Sequence, residues 1–341
     1  MISTKLSNVI SVVDAHTEGQ PFRIVTSGFP TIRGKTIHEK CEYAENHLEE
    51  LRRLILYEPR GNNTMCGAFL VEPTIPEAHK GVVFIEPIGI VPMCGHGSIA
   101  IAKFLVETRE VEVTEPITHV KLDTLAGLVD LKVSVSDGVV GEITLHNVDS
   151  FSYLRDVEVQ TERFGKIKVD IAYGGTFYAI VSAKDLGLEI TPKQASKLIE
   201  HGEIIRKSIL EQVEIKHPSK PEVEKVLYVQ FTAPPTHPKA HMKNTVVVAP
   251  SGLDRSPCGT GTSARMADLA AKGKLHVGDE FVHESIIGSL FRGKIIGESH
   301  VGEYSAVDTE ITGRAYITGF QQLVSEEDDP FKKGFLLDSE S

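Results

Sequence analysis

The chain has 341 residues, 41% of them hydrophobic, and its 36 Lys and Arg against 47 Asp and Glu give a net charge of −11. This length accommodates two domains of ordinary size, and the acidic balance argues against nucleic acid or an anionic membrane as the main partner. The longest apolar runs, such as GVVFIEPIGIVPM, are too short and interrupted for a membrane span. The first residues lack the pattern of a signal peptide, so we expect a cytoplasmic location.

The predicted elements repeat along the chain. A strand-like segment near the start, DAHTEGQPFRIV at 14–25, aligns without a gap with DIAYGGTFYAIV at 170–181. In this alignment Asp14 falls on Asp170, Gly19 on Gly175, and Phe22 on another aromatic residue, Tyr178. Two similar blocks at corresponding places predict that the chain contains a duplicated unit.

A second pair of segments follows in the same order. The strand-like run GVVFIEPIG leads into PMCGHGSIAIAKFL, and NTVVVAP leads into SPCGTGTSARMADLAAKG. Each cysteine segment is followed by a stretch rich in residues that favour helices. We therefore predict helices over Ile99–Val106 and Ser263–Ala271, the second of which ends at Gly273. A further helix is predicted over Gln194–Gln212.

These repeats predict an α+β protein of two pseudo-symmetric, strand-rich domains, each wrapped round one central helix. The first domain is predicted to span residues 1–133 and to be completed by the C-terminal segment 311–341. The second is predicted to span 134–310. No change in composition marks the boundary near residue 133, which follows from the repeat alone.

Only four cysteines are present, Cys41, Cys66, Cys94 and Cys258, which is too few for a disulfide scaffold in a chain of this length. No Cys-x-x-Cys occurs, and Cys94-Gly95-His96 alone is a poor zinc signature. We therefore expect free thiols and no metal site.

A Cys-Gly-x-Gly-Ser/Thr sequence at a helix start has a specific chemistry. The first turn leaves backbone N–H groups unpaired, the helix dipole adds positive potential, and glycine lets a ligand approach closely, so an anion binds there. The same field is expected to lower the pKa of the neighbouring thiol. Two such segments facing one cleft would hold a small carboxylate with a sulfur on each side. One thiolate could then remove the proton beside the carboxylate while the other thiol reprotonates the opposite face, which inverts the centre without a cofactor.

The chain resembles the proline racemase family, which includes 4-hydroxyproline 2-epimerases and trans-3-hydroxyproline dehydratases. The resemblance rests on DAHTEGQPFRIVTSG, EPRGNNTMCGAF, MCGHGSIA, DRSPCGTGTSARMA and ESIIGSLFRGKIIGE, and extends from about residue 10 to 322. It implies the fold of diaminopimelate epimerase, with the active site in the cleft between two pseudo-symmetric domains. It also implies a homodimer that needs no cofactor and acts on a small imino acid.

The resemblance also implies roles for individual residues. Cys94 and Cys258 match the two catalytic cysteines of the family. Asp254 matches the residue that contacts the ring nitrogen, although Asp254 alone is equally suited to a turn or N-cap role. The residues that match the groups holding the substrate carboxylate are Gly95, His96, Gly259 and Thr260.

The subfamily depends on a few positions. Dehydratases of this family replace the second cysteine with threonine, so Cys258 disfavours dehydration. The family's proline racemases wall the ring with phenylalanines at positions that match Cys66 and Val248, whose smaller side chains leave room for a ring hydroxyl. His241 is expected to offer that hydroxyl a hydrogen bond, or else to be an exposed loop residue. Proline racemisation and hydroxyproline epimerisation both stay open.

Other classes of function also fit parts of the sequence. One is a cysteine hydrolase in which Cys94 is the nucleophile and His96 the base, which leaves Cys258 unexplained. Others are a thiol redox or metal protein, a dehydratase-like lyase, and a non-catalytic imino-acid-binding protein of the same fold.

Overall fold

A computed structural model of the chain describes residues 6–221 and 223–337. The strands are β1 (Leu6–Thr17), β2 (Gln20–Ser27), β3 (Cys66–Val71), β4 (Lys80–Glu86), β5 (Gly89–Val91), β6 (Ile117–Thr124), β7 (Gly127–Ser136), β8 (Val139–His146), β9 (Ser150–Thr161), β10 (Gly165–Tyr173), β11 (Phe177–Ser182), β12 (Val226–Ala233), β13 (Met242–Val248), β14 (Gly252–Leu253), β15 (Glu280–Glu284), β16 (Leu290–Val301), β17 (Tyr304–Gly313) and β18 (Ala315–Glu326). The α-helices are α1 (Ile37–His47), α2 (Glu49–Leu56), α3 (Gly95–Glu107), α4 (Ala195–Gln212) and α5 (Gly259–Ala271). Two short 3₁₀ helices, Lys184–Leu186 and Pro192–Gln194, precede α4.

The strands form two sets, each around one helix. In the first set the pairing runs β18, β1, β2, β3, β4, β6, β7, β8, and α3 packs against it. In the second set it runs β9, β10, β11, β12, β13, β15, β16, β17, and β17 pairs back with β9, so the set closes around α5. The protein is strand-rich with few helices, as the sequence predicted.

The two sets share a connectivity. In the first, β2 is parallel to β3 and β4 is parallel to β6; in the second, β11 is parallel to β12 and β13 to β15. Helices α1 and α2 connect the first of these parallel pairs, and α4 connects the corresponding pair. The repeated sequence blocks therefore occupy corresponding strands and helices of the two sets.

Buried and more exposed residues alternate along the strands, which explains how each set surrounds its helix. In β7, Val129, Leu131, Val133 and Val135 are buried in the cluster that surrounds α3, while the residues between them are more exposed. This is the period of two expected for a sheet with one buried face. In α3 only Lys103 and Glu107 lie outside the core, because a helix enclosed by strands is apolar on nearly all sides. Among the described residues no helix is both long and apolar enough to cross a membrane.

The predicted helices are present, with longer N-terminal ends around the cysteines. The helix expected from Gln194 begins at Ala195, and Gly273 has the left-handed φ of +65° expected of a residue that ends a helix. The other two helices begin at Gly95 and Gly259, because the glycine-rich segments form the first turns instead of preceding loops.

The domain division stays a prediction. β7 runs through the predicted boundary at 133, and β8 pairs with it in the first set. From the C-terminal segment 311–341, β18 pairs with β1 in the first set, whereas residues 311–313 end β17 in the second set. Residues 1–5 and 338–341 of the predicted first domain lie outside the described residues.

Candidate active site

The N-termini of α3 and α5 meet. A methyl group added to Gly95 would lie 2.9 Å from the Cα of Gly259, and one added to Gly259 would lie 3.0 Å from the Cα of Gly95. Only glycine permits such an approach of two backbones. The N-cap residue of each helix is a cysteine, so no side-chain oxygen or nitrogen caps either helix there. Two positive helix ends therefore lie side by side, which favours an anion between them.

A small cavity lies at this junction, with a volume of about 20 Å³. Eight of the ten predicted site residues line it: Cys66, Cys94, Gly95, His96, Val248, Asp254, Cys258 and Thr260. Gly259 lies beside it in the contact between the helices. The wall combines residues from both strand sets.

The first cysteine, Cys94, is the N-cap of α3 and is buried. Its Sγ lies 3.4 Å from Nδ1 of His96. Burial raises the pKa of this thiol well above its usual value, and the negative charge of Glu86 raises it further, while a hydrogen bond from the Gly97 N–H lowers it.

The second cysteine, Cys258, occupies the corresponding position on α5 and has a left-handed φ of +63°. Its Sγ lies 3.3 Å from the hydroxyl of Tyr178. Burial raises the pKa of the Cys258 thiol and the charge of Asp254 raises it further, whereas hydrogen bonds from Tyr178 and the Gly261 N–H lower it.

The expectation of lowered thiol pKa values is therefore wrong. The first-turn N–H groups of Gly97 and Gly261 act in the expected direction. Removal of both sulfurs from water outweighs them, because desolvation disfavours the charged form.

Asp254 has the turn role that the sequence suggested for it, and its contact with a ring nitrogen stays a prediction. Its Oδ1 accepts hydrogen bonds from the backbone N–H of Ser256 at 2.8 Å and from the Ser256 hydroxyl at 2.9 Å. The Ser256 oxygen in turn accepts a bond from the Cys258 N–H at 3.1 Å. The carboxylate thus shapes the turn before α5 while it lines the cavity.

His241 does not lie in the site. Its exposed ring stacks on Phe281, with ring centroids 6.2 Å apart, and its Nδ1 accepts a hydrogen bond from the Val282 N–H at 2.8 Å. The prediction that His241 meets a ring hydroxyl is corrected accordingly, since the residue precedes β13 at the end remote from Val248, which lines the cavity.

The sequence predicts no function for four polar side chains of the wall, Gln20, Glu86, Tyr178 and Tyr228. Tyr178 bridges Cys258 and Thr260, with its hydroxyl 2.5 Å from the threonine hydroxyl. The sequence repeat pointed to Tyr178, because this residue aligns with Phe22. The ring of Phe22 packs against Gly97 in the segment that follows the first cysteine. Glu86 was visible only as a single charge within the apolar run GVVFIEPIG, and no motif marked Tyr228.

Comparison with known proteins shows the family of this chain. The family model described as proline racemase matches residues 12–336. The chain is 45% identical over 333 residues to a proline racemase of Clostridioides difficile, covering 98% of this chain and 99% of that one. It is 44% identical over 333 residues to a 4-hydroxyproline 2-epimerase of Streptosporangium roseum, covering 98% and 100%. A solved hydroxyproline epimerase from Agrobacterium vitis, with bound trans-4-hydroxy-L-proline, superposes with a TM-score of 0.92 at 34% identity, covering 98% and 96% of the two chains.

Proposed function

Since this chain belongs to the proline racemase family, we propose that it is an isomerase that inverts the α-carbon of proline, 4-hydroxyproline or both. The reaction needs no cofactor and passes a proton between two thiols. The single observation that carries this proposal is the pair of cysteines at two helix N-termini that meet on one cavity.

Substrate binding uses the positive helix ends. The N–H groups of Gly95, His96, Gly259 and Thr260 donate hydrogen bonds to the carboxylate in this proposal, which is supported by their places in the first turns of α3 and α5. Asp254 receives the positively charged ring nitrogen. The same N–H donors stabilise the negative charge that develops on the carboxylate when the α-proton leaves.

Proton transfer then follows from the two sulfurs. One cysteine, as thiolate, takes the α-proton and becomes a thiol, while the other thiol gives its proton to the opposite face and becomes a thiolate. Atoms and charge balance, and the two sulfurs end with their protonation states exchanged. Proton exchange with solvent restores the starting state before a second substrate molecule of the same configuration reacts. The charge of Asp254 raises the pKa of Cys258 in the free protein. A bound ring ammonium offsets that charge, so substrate binding favours the thiolate.

Access to the site requires movement. A volume of about 20 Å³ admits about one water molecule, far less than an imino acid. We infer that the substrate lies in a cleft between the two domains, which separate to admit it.

Turnover in D2O tests the proposed function. Incubation with L-proline or trans-4-hydroxy-L-proline should give product of inverted configuration that carries deuterium on the α-carbon. Absence of both inversion and α-exchange with either imino acid contradicts the proposal. Loss of water from a hydroxyproline instead of inversion would indicate the lyase alternative, and binding without exchange would indicate the non-catalytic one.

A homodimer and a cytoplasmic location also remain proposals, supported by the family resemblance for the first and by the character of the sequence for the second. Light scattering on the purified protein tests the dimer, and a monomeric mass contradicts it.

A further inference from the structure

A carboxyl and a phenol form a buried pair in the wall of the cavity. The hydroxyl of Tyr228, on β12, donates a hydrogen bond of 2.7 Å to Oε2 of Glu86, the last residue of β4. Both residues line the cavity, and both are at most 5% exposed. The bond joins the first strand set to the second.

Within the repeat, Glu86 corresponds to Val248 and Tyr228 corresponds to Cys66. Register places Cys66 beside Phe22 in the parallel pair β2–β3, and Tyr228 beside Tyr178 in the corresponding pair β11–β12. In the pair β12–β13, Val248 lies opposite Tyr228. In the corresponding pair β3–β4, Ile85 lies opposite Gly67, so the next residue, Glu86, follows at the position opposite Cys66. Each of these two pairs of equivalent wall positions thus holds one small side chain, Cys66 or Val248, and one large polar side chain, Tyr228 or Glu86.

Packing alone does not explain these two polar groups. Burying a carboxyl costs free energy, and apolar side chains of the same shape fill such a position with little loss or a gain of stability. The cost here is visible in the pKa of Glu86, which burial raises to about 7. A costly polar pair at the surface of a ligand cavity is typical of a group that recognises part of the ligand.

We propose that Glu86 and Tyr228 form a specificity-determining pair that hydrogen-bonds a hydroxyl group on the substrate ring. The inference rests on the proposed function and specifies its substrate: a hydroxylated imino acid in preference to proline. A hydroxyl both donates and accepts, so it donates to the carboxyl oxygens of Glu86 and accepts from a protonated Glu86 or from Tyr228. A second positively charged group on the substrate would fit this pair less well than a hydroxyl. In the proposed function the carboxylate of Asp254 already binds the ring nitrogen, and Glu86, with a pKa of about 7, is only partly ionised near neutral pH.

Glu86 and Tyr228 also lie near the two reacting sulfurs. The charge of Glu86 acts on Cys94, whose pKa it raises. The ring of Tyr228 lies against that of Tyr178, with centroids 5.3 Å apart, and Tyr178 contacts Cys258. The pair therefore spans the wall between the two cysteines, where the ring of a substrate held by its carboxylate would lie.

The double variant Glu86→Met/Tyr228→Phe tests the pair. It removes both polar groups together while keeping similar side-chain sizes, so that no unpaired polar group is left buried. The measurement is kcat/KM for trans-4-hydroxy-L-proline and for L-proline, in the wild type, the double variant and a control, Tyr316→Phe, which removes a half-exposed hydroxyl on β18.

The readout is the ratio of the two kcat/KM values. We expect the wild type to prefer trans-4-hydroxy-L-proline, and the double variant to lower the ratio by about tenfold to a hundredfold, the effect of losing one or two buried hydrogen bonds. Tyr316→Phe should leave the ratio unchanged. If the double variant has no activity on either substrate, the single variant Tyr228→Phe supplies the ratio.

The outcomes separate the inference from the function on which it rests. A pair that only ties the two strand sets together would lower both kcat/KM values equally, so an unchanged ratio overturns the inference and leaves the isomerase activity standing. A wild type that prefers L-proline also overturns it. A wild type that turns over neither imino acid overturns the proposed function and this inference with it.

Discussion

Replacing Glu86 with glutamine should remove a pH dependence of stability that the buried carboxyl creates. Burial raises the pKa of Glu86 from 4.5 to about 7, and the hydrogen bond from Tyr228 only partly opposes this shift. A folded-state pKa above the unfolded value means that the folded protein binds the proton more tightly. The contribution of Glu86 is therefore fully present below pH 4.5 and is lost as the pH rises through about 7.

The size of the loss follows from the shift. Each pKa unit corresponds to about 1.4 kcal/mol, so ionising Glu86 in the folded state costs about 3 kcal/mol. Urea unfolding of the wild type and of Glu86→Gln, followed by circular dichroism from about pH 4 to about pH 9, gives the free energy of unfolding of each. The wild-type value minus the variant value should fall by about 3 kcal/mol over this range.

Tyr228→Phe provides the matched comparison. Because the phenol lowers the pKa of Glu86, its removal should raise that pKa further and extend the loss of stability to higher pH. A difference between wild type and Glu86→Gln that stays constant across the pH range would refute the reasoning, since it would mean that the carboxyl titrates as it does in the unfolded chain.

Three further substitutions test other parts of the site. Tyr178→Phe removes a hydroxyl that lowers the pKa of Cys258, so the pH–rate profile should move to higher pH and kcat should fall about tenfold; an unchanged profile contradicts the role of this hydroxyl. Gly95→Ala places a methyl group 2.9 Å from the Cα of Gly259, so the two helix ends must separate. The value of kcat/KM should then fall by about a hundredfold while the circular dichroism spectrum stays native. Wild-type activity in this variant argues against the close approach of the helix ends. His241→Ala should change kcat/KM by less than about twofold, because the residue is exposed and outside the cavity; a large selective loss with hydroxyproline would restore its predicted role.

The repeat in the sequence predicted most of what positions the site. Glycine followed by serine or threonine after each cysteine specifies a helix N-terminus locally, so Cys94 and Cys258 could be placed on equivalent helices without knowledge of the strand order. From the sequence, the glycines were expected only to let a ligand approach, so the contact of Gly95 with Gly259 is a finding of the structure.

The remainder of the site depends on long-range pairing that no local pattern encodes. Glu86 and Tyr228 meet only because β4 and β12 belong to different strand sets that face the same cavity. The thiol pKa values were misjudged for a related reason: the helix N-terminus is a local feature, whereas burial of the sulfur depends on the packing of the whole chain. His241 was misplaced because distance along the sequence from Val248 does not reveal at which end of β13 the cavity lies.

The most direct test of the two-thiol mechanism is the rate of inversion in Cys94→Ser and Cys258→Ser, each compared with the wild type on the imino acid that the wild type turns over best. Serine keeps nearly the size of cysteine but is too weak an acid to exchange the α-proton, so each single substitution should reduce inversion by about a thousandfold or more. Both variants should still bind the substrate, since the backbone N–H groups and Asp254 are retained. If either variant inverts its substrate at a rate close to that of the wild type, proton transfer does not pass between these two cysteines.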